Sequence, residues 1–224
     1  MLASTLYSKS LFCICYLIHS LHSLHPLHDL MLTINLRLAV AAGYEVFSTS
    51  SPKNFDLLKK LGASQVFDYN SKTAIPDLIN AFKGKTTAGA MSIGQGAADA
   101  CMDILNKCKG RKFLSMITYP VSFPPPKRFV LPKVVYTFVP WIISNQIKKR
   151  IRGIDNKFVE GSTVATNSVG RAIFVDFLSD ALEKGVFVAA PEAMVVGNGL
   201  ESIEKGLEMQ RKGVSARKVV ISLS

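Results

Sequence analysis

Two absences shape this sequence: glycine at the start and acidic residues in the middle. No glycine precedes Gly43, which excludes a readable glycine-rich phosphate-binding turn in that part of the chain. Between Ile104 and Gly153 there is no aspartate or glutamate, although eleven lysines and arginines lie there. The four cysteines form no Cys-x-x-Cys pair, so a four-cysteine structural zinc lobe is excluded as well.

What is present fits a folded domain with a basic surface. The chain has 224 residues, of which 48% are hydrophobic and 19% charged, with a net charge of +11. The basic stretch 104–153 would attract anions such as phosphorylated cofactors, acyl thioesters, nucleic acid or acidic proteins. A solvated basic face without a specific role explains it equally well. Free thiols are typical of a reducing compartment, and we predict a cytoplasmic location.

Residues 1–35 differ in amino-acid composition from the rest of the chain. All four histidines of the protein lie here, at positions 19, 22, 25 and 28, and the Ser-Leu-His triplet occurs twice, ending at His22 and His25. A metal site, a secretory signal or membrane anchor, and translated repetitive non-coding sequence are three possible interpretations. The apolar stretch 11–18 is too short to span a bilayer, and no good cleavage site follows it. We favour the third interpretation, which predicts that residues 1–35 lie outside the fold.

From about Leu36 the sequence alternates between helical and extended patterns. Short apolar strands separated by single helices predict a parallel sheet that is covered on both faces. The predicted helices are 36–42, 52–61, 76–82, 97–108, 133–150, 169–184 and 200–212, and the predicted strands are 44–49, 65–69, 88–93, 111–117, 157–162, 187–196 and 217–223. Five prolines predict a loop at 119–132.

The end of the strand 44–49 carries a candidate phosphate site. Ser50, Ser51 and Lys53 follow this strand, and its only carboxylate, Glu45, lies near its beginning. In dinucleotide-binding sheets the corresponding position distinguishes NAD from NADP, because an acidic side chain there repels a 2′-phosphate. Hydroxyls and an ammonium group suit that phosphate. The same Ser-Ser-Pro-Lys sequence is also an ordinary start of a helix, and both interpretations stay open.

Two long runs carry a family resemblance. RLAVAAGYEVFSTSSPKNFDLLKKLGASQVFDYNSKT and QRKGVSARKVVISL resemble fungal zinc-type alcohol dehydrogenase-like proteins. These belong to the medium-chain dehydrogenase/reductase family, with quinone oxidoreductases and trans-acting enoyl reductases. The resemblance implies NADPH as cofactor, with Ser51, Lys53 and Tyr69 at its 2′-phosphate and Gly94 near its ribose. Ser50 is a further cofactor-binding candidate because of its place at the strand end. It implies reduction of an enone, an enoyl thioester or a carbonyl.

The resemblance also sets the expected architecture. The family joins a GroES-like catalytic domain to a Rossmann domain, and residues 36–185 resemble the Rossmann part. Residues 186–224 resemble strands that return to the catalytic domain, so the chain would be an N-terminally truncated member. We therefore expect a Rossmann-like doubly wound α/β parallel sheet that lacks its first strand and glycine-rich turn. NADPH binding would be weakened, and no zinc is expected.

Catalytic residues are not identifiable. Tyr119 and Tyr136 follow a cofactor-domain strand, but structural roles are favoured for both. The intact family takes small-molecule or acyl-thioester substrates, and we expect a monomer or homodimer without nucleic-acid or membrane partners. The alternative is a non-catalytic remnant or faulty gene model, or a binding module that uses the basic stretch 104–153.

Overall fold

The computed structural model describes residues 11–16, 26–94, 96–118, 130–159, 166–214 and 217–223. Within these ranges the strands are β1 (Leu11–Tyr16), β2 (Glu45–Ser50), β3 (Gln65–Asp68), β4 (Thr86–Ile93), β5 (Lys109–Gly110), β6 (Phe113–Met116), β7 (Asp155–Phe158), β8 (Glu192–Asn198) and β9 (Arg217–Ser222). The helices are α1 (Pro26–Ala41), α2 (Phe55–Lys60), α3 (Ala74–Ala81), α4 (Ala97–Lys107), α5 (Val130–Arg152), α6 (Ser168–Arg171), α7 (Leu178–Glu183) and α8 (Ile203–Lys212).

The chain divides into two compact units. The first joins Met1–His19 to Leu38–Val159, and the second joins Ser20–Arg37 to Glu160–Ser224. The first unit contains a seven-stranded parallel sheet in the order β3-β2-β1-β4-β6-β7, with β5 paired to β4. The predicted Rossmann-like doubly wound sheet is thereby confirmed. Its strand order changes direction between β1 and β4, which is the place where such sheets bind ligands.

One expectation about this sheet was wrong: the first strand is present. β1 lies in the middle of the sheet, where Phe12 pairs with Val46 of β2 and Cys13 pairs with Ala90 of β4. A central parallel strand is covered on both faces, so it appears in a sequence as a continuous apolar run without alternation. LFCICY is such a run. Residues 11–16 therefore belong to the sheet, although they lie in the segment 1–35 that was expected outside the fold.

The helix after β1 is also longer than predicted. We predicted a short helix at 36–42, whereas α1 begins at Pro26 and ends at Ala41. Proline is favoured in the first turn of a helix, because its missing N–H has no partner there in any case. Leu32, Thr33 and Leu36 of this helix are buried. The histidines at 19, 22 and 25 lie outside the described residues.

The core of the first unit lies between the sheet and the helices α3 and α4. Phe47 of β2 contacts Phe82 edge-on with ring centroids 5.3 Å apart, and Leu78, Met102 and Leu105 are buried with it. Burying each side chain of this size contributes about 1.5–3 kcal/mol. Cys101 and Cys108 are buried thiols and pack as small residues of this core.

The second unit has its own small sheet. β8 and β9 are parallel partners, with Met194 opposite Val219. α8 packs on them closely, since a Cβ added to Gly206 would lie 3.1 Å from Ile221. Between α6 and α7, Ala172–Phe177 forms a π-helical segment, so the single helix predicted at 169–184 is divided into three parts. No helix in the described ranges is long and apolar enough to cross a membrane.

Candidate functional site

Two candidate residues meet where β2 and β3 end. Ser50 is the last residue of β2 and pairs in register with Asp68, the last residue of β3. One residue further on, the Tyr69 amide donates a hydrogen bond of 3.4 Å to the Ser50 carbonyl oxygen. Ser50 is buried and Tyr69 is half-buried. The structure therefore places these two residues together, at the edge of the sheet where dinucleotides bind.

Ser51 and Lys53 lie in the turn that leaves this edge. Pro52–Asn54 form one turn of 3₁₀ helix before α2, and Ser51 occupies the position that would cap it. Its hydroxyl makes no capping hydrogen bond, so capping does not explain this serine. The Lys53 side chain is exposed in the same turn. A hydroxyl and an ammonium group thus lie two positions apart beside the end of β2.

Gly94 lies at the end of β4, on the other side of β1. Its φ of 95° is in the left-handed region that favours glycine. The register pairs Tyr16, the last residue of β1, with Ile93, so Gly94 is adjacent to the end of β1. The Gly94 amide donates a hydrogen bond to the Thr118 hydroxyl at 2.9 Å. Thr118, which follows β6, was not predicted as part of the site, because nothing local in the sequence indicates this contact.

The turn after β3 is held by short-range hydrogen bonds. The Asp68 carboxylate accepts a hydrogen bond of 2.9 Å from the Asn70 amide, and the Asp68 carbonyl accepts one of 3.1 Å from the Ser71 amide. The Ser71 hydroxyl in turn accepts a hydrogen bond of 3.2 Å from the Thr73 amide. These bonds fix the backbone on both sides of Tyr69, as side-chain acceptors commonly do in turns. Asp68 is a second residue of the site that the sequence analysis missed.

The connection from β1 to α1 occupies the place of the expected glycine-rich turn. Residues 17–25 lie outside the described residues, and their sequence, LIHSLHSLH, contains no glycine. Glycine allows the backbone of such a turn to approach a pyrophosphate closely. The residues present therefore fit the 2′-phosphate end of a dinucleotide better than its pyrophosphate.

Much of the basic charge at the end of α5 is paired with acidic residues. Lys148 forms an ion pair with Asp99, and Arg152 binds Asp103 at 2.7 Å, so both reach α4. Lys149 binds Asp155 at 2.6 Å, and its hydrogen bond and charge hold the pKa of that carboxyl below the ordinary 3.8. These acidic partners lie just outside the acid-free stretch 104–153. The positive charge of the stretch is therefore partly compensated in the fold, which the sequence of the stretch alone does not show.

Two further features concern a metal site and the tyrosines that follow β6. Among them no group of three or more His, Cys, Asp or Glu side chains is placed to hold a metal ion. Tyr136 lies on α5 with 82% of its surface exposed, and Tyr119 lies outside the described residues.

Comparisons with known proteins identify related chains. No family model matches. The chain is 53% identical over 188 residues to the dehydrogenase pigH of Monascus ruber, which covers 84% of this chain and 51% of that protein. It is 44% identical to the zinc-binding alcohol dehydrogenase domain-containing protein cipB of Emericella nidulans and 30% identical to the trans-enoyl reductase himH of Aspergillus japonicus. Each match covers 84% of this chain, and the chain spans about half the length of these relatives.

Solved structures share the fold at low sequence identity. The CurK enoyl reductase matches 95% of this chain and 55% of its own, with a TM-score of 0.61 and 13% identity. A quinone oxidoreductase of Pseudomonas syringae matches 97% of this chain and 58% of its own, with a TM-score of 0.61 and 14% identity. Over 84% of its length, the chain is thus a relative of fungal dehydrogenases and trans-enoyl reductases, within the medium-chain dehydrogenase/reductase family.

Proposed function

We propose that this chain contains the NADPH-binding part of an oxidoreductase that reduces an enone, an enoyl thioester or a carbonyl. The observation that carries the proposal is the uncapped Ser51 hydroxyl in the same turn as Lys53, beside the ends of β2 and β3. Relatives named dehydrogenase and trans-enoyl reductase support the reaction class. The solved structure of CurA from Vibrio vulnificus, which shares the fold, contains NADPH.

The 2′-phosphate is the chemical group that this edge of the sheet suits. A phosphate oxygen accepts hydrogen bonds from hydroxyls, and its charge is compensated by an ammonium group. Ser51 and Lys53 supply both, and Tyr69 lies on the neighbouring strand end with a phenol that can donate a further hydrogen bond. The end of β2 carries no carboxylate of the kind that would favour NADH, because Glu45 lies at the opposite end of this strand.

We expect the different parts of the dinucleotide to be bound with different strength. Gly94 offers a backbone without a side chain next to the end of β1, where a ribose can approach. No glycine stands between β1 and α1, so we propose that the pyrophosphate is held less closely than in sites with a glycine-rich turn. NADPH binding that is selective but weak is the consequence.

These residues would contribute to catalysis by binding and orienting the cofactor. NADPH supplies a hydride when it is bound, and the chain holds the adenosine end so that the nicotinamide end can be positioned. We propose no zinc for this chemistry and no proton donor. A cytoplasmic location, with a small-molecule or acyl-thioester substrate, belongs to the same proposal.

A binding module built on the basic stretch 104–153 is the less favoured function. Three cations at the end of α5, Lys148, Lys149 and Arg152, already have acidic partners. Their pairing reduces the positive field that would be left for nucleic acid or an acidic protein.

Titration of the purified chain with NADPH and with NADH tests the cofactor proposal. We expect saturable binding of NADPH in preference to NADH. Replacing Lys53→Gln removes one charge-assisted contact, which is worth about 1.5–3 kcal/mol, so NADPH affinity should fall about tenfold or more while NADH affinity stays the same. Lys59→Gln removes an equal charge from an exposed site at the other end of α2 and serves as the control. Equal affinities for the two cofactors would contradict the selectivity, and no binding of either would favour a non-catalytic remnant.

A further inference from the structure

Asp68 closes the turn that contains Tyr69. Its carboxylate oxygen accepts a hydrogen bond from the Asn70 amide at 2.9 Å, and Tyr69 is the residue between this donor and this acceptor. The Tyr69 amide is itself used, since it donates to the Ser50 carbonyl at 3.4 Å. The backbone of Tyr69 is therefore held by β2 on one side and by the Asp68 side chain on the other. Such a fixed backbone restricts the directions in which the phenol can point.

The same carboxylate brings a negative charge to the candidate phosphate site. Asp68 and Ser50 are register partners on neighbouring strands, which lie about 4.8 Å apart. Ser51 follows Ser50 directly, so Asp68 and the serine proposed to bind the 2′-phosphate stand at neighbouring strand ends. Two negative groups at such a site repel each other, by an amount that depends on their distance and on salt.

We propose that Asp68 is a positioning residue for NADPH, with two opposed effects. As a hydrogen-bond acceptor it fixes Tyr69 and thereby favours the 2′-phosphate, and as a charge it lowers the affinity for the same phosphate. This inference rests on the proposed function, since it concerns the same site. It adds a residue that contacts no phosphate itself and that neither the family resemblance nor the strand pattern assigned.

The two effects can be separated by substitution. Asp68→Asn keeps a side-chain oxygen that can accept the Asn70 hydrogen bond, and it removes the charge. Asp68→Ala removes both. Asp176→Asn, at an exposed position of the second unit, removes one charge elsewhere and is the matched control.

The probes are 2′,5′-ADP, which carries the 2′-phosphate, and 5′-AMP, which lacks it. A phosphate carries nearly two negative charges, so removing the Asp68 charge should make Asp68→Asn bind 2′,5′-ADP about threefold more tightly than the wild type. This gain should disappear at about 1 M salt, and 5′-AMP affinity should not change. Asp68→Ala should bind 2′,5′-ADP about fivefold more weakly than Asp68→Asn, because the turn is released.

The outcomes distinguish this inference from the proposed function. If the wild type binds 2′,5′-ADP and Asp68→Asn binds it no more tightly at any salt concentration, the effect of the charge is refuted. If Asp68→Asn and Asp68→Ala bind it equally, the acceptor role is refuted. A wild type that binds neither NADPH nor 2′,5′-ADP overturns the proposed function, and this inference with it. Thermal unfolding of Asp68→Ala shows whether this variant is folded. If it is not folded, Asp68→Asn still tests the effect of the charge.

Discussion

The Gly94 amide donates a hydrogen bond of 2.9 Å to the Thr118 hydroxyl, and this bond joins the turn after β4 to the residues after β6. Both residues lie at the carboxyl edge of the sheet, next to the place where its order changes direction. A single side chain from a distant part of the sequence thus fixes the turn proposed to face the cofactor ribose.

Removing the Thr118 hydroxyl should loosen this turn. Thr118→Val leaves the buried Gly94 amide without its acceptor, which costs about 1–3 kcal/mol. Thr118→Ser keeps the hydroxyl and should stay within about 1 kcal/mol of the wild type. Urea unfolding measures both, and NADPH titration of the two variants shows whether the turn also serves binding. Equal stability of the valine and serine variants would show that the hydrogen bond contributes nothing.

Substituting Gly94 by alanine should affect stability and binding together. A left-handed φ of 95° costs a residue with a side chain about 1–2 kcal/mol. Gly43 has a similar φ of 87°, has nothing within 4 Å of an added Cβ, and precedes the opposite end of β2. Gly43→Ala is therefore a control for strain alone. We expect both variants to lose stability, and only Gly94→Ala to lose NADPH affinity. A loss of affinity in both would assign the effect to strain.

The sheet shows which strands local sequence patterns can predict. Single helices between short apolar runs predicted β2, β3, β4 and β6 to within a few residues, because a parallel sheet requires a crossover between neighbouring strands. β1 was missed because it lies beside a histidine-rich segment and is not followed by a glycine-rich turn, the feature by which a first strand is usually recognised. Its place in the sheet is set by its pairing with β2 and β4, which a local pattern does not contain.

The candidate site was predictable only where its residues follow strands directly. Ser50, Ser51 and Lys53 were chosen as candidates because the carboxyl end of the second strand is a known position in dinucleotide sites. Thr118 and the turn formed by Asp68 were missed, since their roles arise from hydrogen bonds that the sequence does not display. The net charge of the stretch 104–153 is partly balanced in the fold for a related reason, because its acidic partners Asp99 and Asp155 come from other elements.

Hydrogen exchange tests whether β1 is a central strand. Amides of Leu11–Tyr16 are expected to exchange as slowly as those of β4, because β1 pairs on both sides. Ile14→Pro removes one donor from this ladder and should unfold the first unit. Lys59→Pro, at an exposed position of α2, is a milder control because it disturbs a short helix at the surface. Rapid exchange across residues 11–16 would restore the view that this segment lies outside the fold.

The Lys149–Asp155 ion pair predicts a contribution to stability that depends on pH. Lys149 lowers the pKa of Asp155 in the folded protein below 3.8, so the pair stabilises the fold above that pH. The contribution is lost as pH falls through the lowered pKa, when the carboxylate is protonated. Asp155→Asn should therefore differ from the wild type near neutral pH and converge with it in strong acid. Unfolding curves between about pH 2 and pH 7 measure this, and a constant difference would contradict it.

The missing glycine between β1 and α1 predicts how NADPH affinity is divided along the molecule. Where a glycine-rich turn cradles the pyrophosphate, each charge-assisted hydrogen bond contributes about 1.5–3 kcal/mol, so NADPH binds far more tightly than a fragment that ends before the second phosphate. Here we expect NADPH and 2′,5′-ADP to bind within about tenfold of each other, which is about 1.4 kcal/mol. Lys53→Gln should lower the affinity for both ligands by the same factor, because both carry the 2′-phosphate. If NADPH instead binds more than about a hundredfold more tightly than 2′,5′-ADP, residues other than glycines hold the pyrophosphate, and binding is not weakened in the way proposed.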